Sequence, residues 1–167
     1  QVFGGHGYVR EWGIEQIVRD ARVAMIYEGT NEIQAIDLLV RKVLADGGAG
    51  LLALLHELRA DLDPSHAADA LTLSQFAALG ELTQTLADTA RRDATLAFWV
   101  ADDYLRATAL ALLGWTWCRI GAALPADAGP RWRQPAQAVG HWILPEFDMR
   151  VAIIRARCTA SDAGRAA

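Results

Sequence analysis

The longest apolar stretch of the sequence decides its fold class, and it reads ATLAFWVADDYLRATALALLGWTWCRIGAAL over residues 94–124. It is apolar on several sides and is far longer than an ordinary strand. Its longest uncharged part, residues 107–118, has twelve residues, whereas a membrane span needs about 20. We therefore expect a buried core helix here, and no membrane span.

The composition supports an all-α fold. Of 167 residues, 32 are Ala and only five are Pro, and the chain is 53% hydrophobic and 22% charged. This balance excludes a disordered tail and favours helices over a sandwich or barrel. No pair of strands joined by a turn signature is visible. We predict a helical bundle.

Apolar residues recur at helical spacing on both sides of residues 94–124. Gly and Pro then separate the predicted helices. The predicted elements are a short helix with Ile14, Ile17, Val18 and Ala21 on one face; a helix capped by Thr30 or Asn31, with a buried stripe of Ile33, Ile36, Leu39, Val40, Val43 and Leu44; a helix with Leu51, Leu54, Leu55, Leu58 and Leu62; a helix starting between Leu71 and Gln75 that carries Phe76, Leu79, Leu82 and Leu86; a loop over residues 125–135; and a last helix from about Gln137, bent near Pro145.

Charge, cysteine and histidine content limit the possible partners. The net charge is −4, with 15 Arg and one Lys, and a phosphate-binding domain is usually basic. We expect no nucleic-acid partner. Two widely separated cysteines favour a reducing cytoplasm over a disulfide. His6, His56, His66 and His141 lack ligand spacing, so no metal site is expected. We expect the tryptophans to be core and interface residues, and Asp102-Asp103 to be a solvated helix face.

A carboxylate stands at the end of an apolar run in residues 26–34, IYEGTNEIQ. Apolar neighbours disfavour the charged form of Glu28 and would raise its pKa toward the range of a general base. Gly29 permits close approach of the backbone, and the amides at the following helix start could hold an anion. The alternative is structural, since an acidic residue before a helix start is often only a favourable dipole interaction.

The opening residues 1–8, QVFGGHGY, are also rich in Gly. They carry no Lys-Ser/Thr pair and follow no visible strand, which excludes a P-loop and a dinucleotide-binding turn. The glycines could let the backbone approach a phosphate or a neighbouring chain, or could simply form a tight turn.

Taken together, residues 1–8, the RDAR of residues 19–22 and residues 26–34 resemble the acyl-CoA dehydrogenase family, with the family's spacing between them. The resemblance covers about the first 45 residues. It implies the end of the C-terminal catalytic helical domain of an FAD-dependent enzyme, with residues 46–167 as an additional helical extension. That extension resembles those of a branch that includes 3-methylmercaptopropionyl-CoA dehydrogenase.

The resemblance implies roles for individual residues. Glu28 matches the base that removes the α-proton of an acyl-CoA thioester, and its backbone N–H matches a group that polarises the thioester carbonyl. Tyr27 and Gly29 would line the acyl pocket. The implied FAD contacts are Thr30 and Glu32 in the same subunit, and Gln1, Gly4 and Gly5 toward the FAD of a neighbouring subunit. Many relatives carry Gln where this chain has Glu32.

The same resemblance implies partners and a setting. It implies a homo-oligomer, dimer or tetramer, with a shared FAD site, and an electron-transfer flavoprotein as the electron acceptor in fatty acid metabolism. Because the chain opens at Gln1, we expect a fragment of a larger enzyme that is inactive alone. The alternative function is a non-catalytic helical assembly or binding module that kept the motif.

Overall fold

The computed structural model describes residues 2–26, 30–125 and 127–163, with side chains to residue 161. Throughout these ranges the regular structure is helical and no strand occurs, which confirms the all-α prediction. The chain divides into two compact units, residues 1–34 and 35–167. The division falls within helix α2.

The first unit contains short elements. Two 3₁₀ turns, Gly4–Gly7 and Arg10–Trp12, precede helix α1, Ile14–Val23. Gly13 joins the second turn to α1 with a left-handed φ of 69°, a conformation that favours Gly. Helix α2, Asn31–Ile36, begins at the end of this unit. Among the described residues before Ala35, no side chain is buried, so this unit has no core of its own there.

The second unit contains the long helices. After α2 the backbone continues as a π-helical segment, Asp37–Val43, and a 3₁₀ turn, Leu44–Asp46. The other helices are α3 (Ala49–Arg59), α4 (Ala67–Arg92), α5 (Leu96–Ala123), α6 (Pro130–Ala138), a second π-helical segment (Val139–Ile143) and α7 (Glu146–Ala163).

Three long helices build the core of the second unit. Helix α5 packs against α4 and α7, and α4 also contacts α7. The first π segment packs on α5, and α3 packs on α4. Burying one such aliphatic or aromatic side chain contributes about 1.5–3 kcal/mol. The largest fully buried apolar side chains are Tyr104, Phe76, Phe147, Leu39, Leu79, Leu82, Leu86, Ile154 and Val100.

The first π segment sets which residues enter this core. Ala35, Leu39 and Val43 are buried and recur every four residues. A π-helix has more residues per turn than an α-helix, so residues four apart stay on the same face of this segment. Ile33 is 54% exposed. Its prediction as part of the buried stripe is therefore wrong in this chain, whereas Leu39 and Val43 were predicted correctly.

A polar pair is buried between α4 and α5. The hydroxyls of Thr83 and Tyr104 lie 2.6 Å apart, and Thr83 also donates to the Leu79 carbonyl. Both side chains are fully buried. Burial raises the pKa of Tyr104 to about 12, so the phenol stays neutral and hydrogen-bonded in the core.

An ion-pair network joins α5 to α7. Glu146 accepts hydrogen bonds from Arg106 at 2.9 and 3.1 Å and from Arg150 at 2.8 and 3.0 Å. Arg150 also donates to Asp103 at 2.7 Å. The Asp103 side chain is only 18% exposed, which corrects the prediction of a solvated face at this residue. The Asp102 side chain is 61% exposed, as predicted.

Several predicted boundaries are wrong. Helix α4 begins at Ala67, because the Asp69 carboxylate accepts the Asp63 amide and closes the preceding turn. Helix α6 starts inside the predicted loop, with Pro130 at its first turn, where Pro is well tolerated. The last predicted helix is two elements that meet at Pro145, rather than one bent helix.

Three of the tryptophans between residues 99 and 142 are not core residues in this chain. Trp99 is 75% exposed, Trp132 is 45% exposed and Trp142 is 84% exposed, so for them the core half of the prediction is wrong and the interface half stays a prediction. In the part of the chain that is described, no helix has the length and apolarity to cross a membrane. No group of His, Cys, Asp and Glu that could hold a metal ion occurs there either.

The turn between the first π segment and α3 gives a stability prediction. Gly48 has φ of 88°, and an added Cβ would lie 2.5 Å from Thr83 Cγ2. We expect Gly48→Ala to lower the free energy of unfolding by about 2–4 kcal/mol through backbone strain and overpacking. Gly47 is the matched control, since its φ is 68° and an added Cβ meets nothing within 4 Å. Gly47→Ala should cost about 1–2 kcal/mol. Equal losses in urea unfolding of the two variants would contradict this packing.

The network at Glu146 gives a pH prediction. Hydrogen bonds from Arg106 and then Arg150 lower the pKa of Glu146 to about 2. Its contribution to stability is therefore present above its ordinary pKa of 4.5 and is lost as pH falls toward 2. We expect Glu146→Gln to lower the melting temperature at pH 7 and to match the parent protein near pH 2. Glu57→Gln, on the exposed surface of α3, is the control. A Glu146→Gln deficit that does not change with pH would contradict the assignment.

Candidate functional site

The start of α2 holds two of the residues implied as cofactor contacts. Thr30 stands just before the helix, and its Oγ1 accepts the Ile33 amide at 3.4 Å. The Gln34 amide donates to the Thr30 carbonyl at 3.1 Å. Thr30 is therefore the N-cap, as the sequence predicted for Thr30 or Asn31.

The carboxylate of Glu32 folds back on the same helix start. Its own backbone N–H and then the Thr30 hydroxyl stabilise the charged form and lower the pKa of Glu32. The side chain is therefore an anion whose oxygens accept hydrogen bonds. An amide side chain such as Gln could donate from this position, but a carboxylate cannot.

Gly4 and Gly5 lie in the first 3₁₀ turn, Gly4–Gly7, in which the His6 amide donates to the Phe3 carbonyl at 3.2 Å. Gly4 has a left-handed φ of 53°, and a Cβ added at either glycine would meet nothing within 4 Å. The turn thus presents bare backbone with open space around it. The sequence left two interpretations of these glycines, a tight turn or close approach of the backbone to a phosphate or a neighbouring chain. The tight turn is observed, and it leaves the second interpretation open.

Charged side chains on α1 pair with each other along the helix. Arg19 and Arg10 reach the Glu15 carboxylate at 3.9 and 4.0 Å, while Asp20 accepts from Gln16 at 2.7 Å. These arginines line a shallow cavity of about 330 Å³ together with Tyr8 and Val18. The cavity is within the first unit and places charge next to an exposed apolar surface.

The remaining predicted site residues are Gln1, Tyr27, Glu28 and Gly29. They lie outside the described residues, so their roles stay predictions. What the structure brings together is Thr30 with Glu32 at one helix start, and Gly4 with Gly5 in one turn.

Comparison with known proteins identifies the segment that carries these residues. Residues 1–44 match the family described as "Acyl-CoA dehydrogenase, C-terminal domain". Over these residues the chain is similar to the acyl-CoA dehydrogenase family. The match contains every residue predicted for catalysis, substrate or FAD, and it confirms the resemblance on which those predictions rest.

Individual relatives agree with the acyl-CoA dehydrogenase match. The chain is 60% identical over 48 residues to 3-methylmercaptopropionyl-CoA dehydrogenase of Ruegeria pomeroyi, which is 29% of this chain and 8% of the relative. It is 49% identical over 47 residues to an acyl-CoA dehydrogenase of Bacillus subtilis, 28% of this chain and 12% of the relative. It is 38% identical over 63 residues to a broad-specificity linear acyl-CoA dehydrogenase of Mycobacterium tuberculosis, 38% of this chain and 10% of the relative.

The chain therefore spans about a tenth of the length of these curated relatives. No solved structure matches the chain. The matched stretches are 47–63 residues long, which is too short to cover residues 46–167 as a whole. These comparisons therefore do not assign a role to residues 46–167.

Sequence reasoning missed a cavity in the second unit. It has a volume of about 520 Å³ and lies between the start of α4, the end of α5 and the second π segment. Its lining includes Thr72, Cys118 and His141, none of which has a motif spacing. The sequence gives only a weak indication of this cavity. Residues 67, 68, 136 and 140 are Ala or Gly, and larger side chains at these positions would fill the space.

The start of α2 gives a local prediction. Because the Thr30 hydroxyl helps to lower the pKa of Glu32, Thr30→Ala should raise that pKa part of the way toward its ordinary value. Part of the shift should remain, since the larger cause is the Glu32 backbone N–H. Carboxyl-detected NMR titration of Glu32 measures the change. Thr30→Ser keeps the hydroxyl and should titrate like the parent; a Ser variant that shifts as far as Ala would exclude this hydrogen bond.

Proposed function

We propose that this chain is the C-terminal part of an FAD-dependent acyl-CoA dehydrogenase that oxidises the α,β-bond of an acyl-CoA thioester. The observation that carries the proposal is the continuous family match over residues 1–44. The relatives support it, because all three described above are named as acyl-CoA dehydrogenases. Fragment status follows from the same proposal, and residues 46–167 are then a helical extension of the catalytic domain.

In this proposal Glu28 is the base. Its carboxylate takes the α-proton of the thioester, and its backbone N–H stabilises the negative charge that develops on the thioester oxygen. Tyr27 and Gly29 line the acyl pocket next to it.

The described residues can be tested for their fit to FAD. The open backbone at Gly4 and Gly5 suits close approach of a cofactor phosphate or ring. Thr30 offers a hydroxyl at a helix start and would contact the FAD of its own subunit. Gln1, Gly4 and Gly5 would contact the FAD of a neighbouring subunit in a dimer or tetramer. FAD, when bound, would supply the hydride acceptor for the β-hydrogen, and an electron-transfer flavoprotein would be the electron acceptor. Glu32 fits less well, because its carboxylate cannot donate a hydrogen bond and repels phosphate.

The proposed base is tested by Glu28→Gln in the full-length protein. We expect the flavin to remain bound, since Gln keeps the size of the side chain. A saturated acyl-CoA should no longer bleach the flavin absorbance, and exchange of the α-proton with deuterated water should fall by a factor of at least 10³, as for loss of an essential general base. Dehydrogenation retained at the parental rate would refute the role of Glu28.

The control for this test is Glu11→Gln, an exposed carboxylate in the same unit that the proposal gives no role. It should keep both the flavin and the parental rate. If the parent protein itself carries no flavin and does not react with any acyl-CoA, the alternative function, a non-catalytic assembly or binding module, is favoured instead.

A further inference from the structure

Helix α6 contributes no side chain to the core of the second unit. None of its residues, Pro130–Ala138, is buried. Ala136 is half-buried, and the other residues of the helix are exposed. Helices α4, α5 and α7, in contrast, each bury several side chains. Because apolar burial is the main force that holds helices together, α6 is attached to the unit much more weakly than the three long helices are attached to each other.

The contact between α6 and α5 is a narrow ridge. Within the part of the chain that is described, α6 packs chiefly on α5 and on the π segment that continues it. Trp117 of α5 and Ala136 and Gln137 of α6 line two cavities at once, one of about 520 Å³ and one of about 330 Å³. Side chains that line two cavities form the wall between them. Helix α6 therefore meets α5 at this wall, with open space on either side in which neither helix has packing partners.

Helix α6 is also weakened from within. Pro135 lies in its interior, so this residue has no backbone N–H to donate to the Arg131 carbonyl, and its ring crowds that carbonyl. Pro130 stands in the first turn, where the missing N–H would have no helical acceptor in any case. The two prolines of this helix therefore differ in effect, and only Pro135 reduces the stability of α6.

We propose that α6 is a lid, which opens from the end of α5 while the packing of α4, α5 and α7 stays intact. Opening would separate Ala136 from Trp117 and join the two cavities into one cleft along α5. The movement would end after the π segment, where Leu144 is buried. The lid lies within the second unit, so it does not depend on the proposed dehydrogenase residues.

Hydrogen exchange of the full-length protein tests the lid, with mass spectrometry of its peptides as the readout. After correction for intrinsic rates, the amides of residues 134–138 should exchange at least about 100-fold faster than those of residues 104–111, because only the former open locally. Low urea should accelerate exchange in α5 but not in α6, since local opening exposes little new surface. Equal protection of the two helices, or an equal response to urea, would overturn the proposal.

The two prolines provide a matched pair of variants. Pro135→Ala restores the missing donor and should slow exchange of the α6 amides about tenfold, without changing exchange in α5. Pro130→Ala is its control and should not slow exchange in α6. Unchanged exchange of α6 in Pro135→Ala, or an equal slowing in Pro130→Ala, would contradict the lid.

A second pair of variants tests the ridge. Ala136→Gly removes the methyl group that faces both cavities, whereas Ala138→Gly removes an exposed methyl group from the same helix. Both changes lower helix propensity, but only the first removes packing at the ridge. Ala136→Gly should therefore accelerate exchange of the α6 amides at least about threefold more than Ala138→Gly does. Equal acceleration would show that the ridge does not hold the lid closed and would overturn the proposal.

Discussion

The packing of α5 between α4 and α7 is the constraint on which the second unit depends. Tyr104, Val100 and Leu110 of α5 are buried in this packing, and the Thr83–Tyr104 hydrogen bond fixes how α4 and α5 are registered. The Glu146 network does the same for α5 and α7 at the surface. A buried polar pair and a surface ion-pair network therefore set the register, while apolar burial supplies most of the stability.

The fold class could be predicted because helical spacing and Ala content act locally. The long apolar stretch of residues 94–124 appears almost unchanged as α5, Leu96–Ala123. The details that failed depend on side chains elsewhere. Helix α4 begins early, at Ala67, where Asp69 accepts the Asp63 amide. The buried positions Ala35, Leu39 and Val43 follow a strict four-residue spacing, and Ile33 lies outside that series.

The motif that carries the candidate site could be recognised from the sequence for a different reason. Its residues form a linear motif in residues 1–34, and the family match now supports that motif. The Thr30 cap was visible in the sequence because capping depends on residue type and position alone. The cavity of about 520 Å³ was not visible, because its walls come from residues 67–72, 117–118 and 136–144, which only tertiary packing brings together. A site carried by one continuous segment can therefore be found from a sequence motif, whereas a cavity built from distant segments cannot.

The two units differ in whether their apolar side chains are buried within the unit. In α1, Ile17 and Val18 are 65% and 57% exposed, and covering each would contribute about 1.5–3 kcal/mol. The matched relatives are about ten times longer than the matched stretch. Under the proposed function, therefore, the rest of the enzyme covers this face and positions the motif. The second unit, in contrast, buries its own apolar core, to which Leu39 and Val43 contribute. Helix α2 is shared by the two units: Thr30 caps its start, and the π segment that continues it carries Leu39 and Val43.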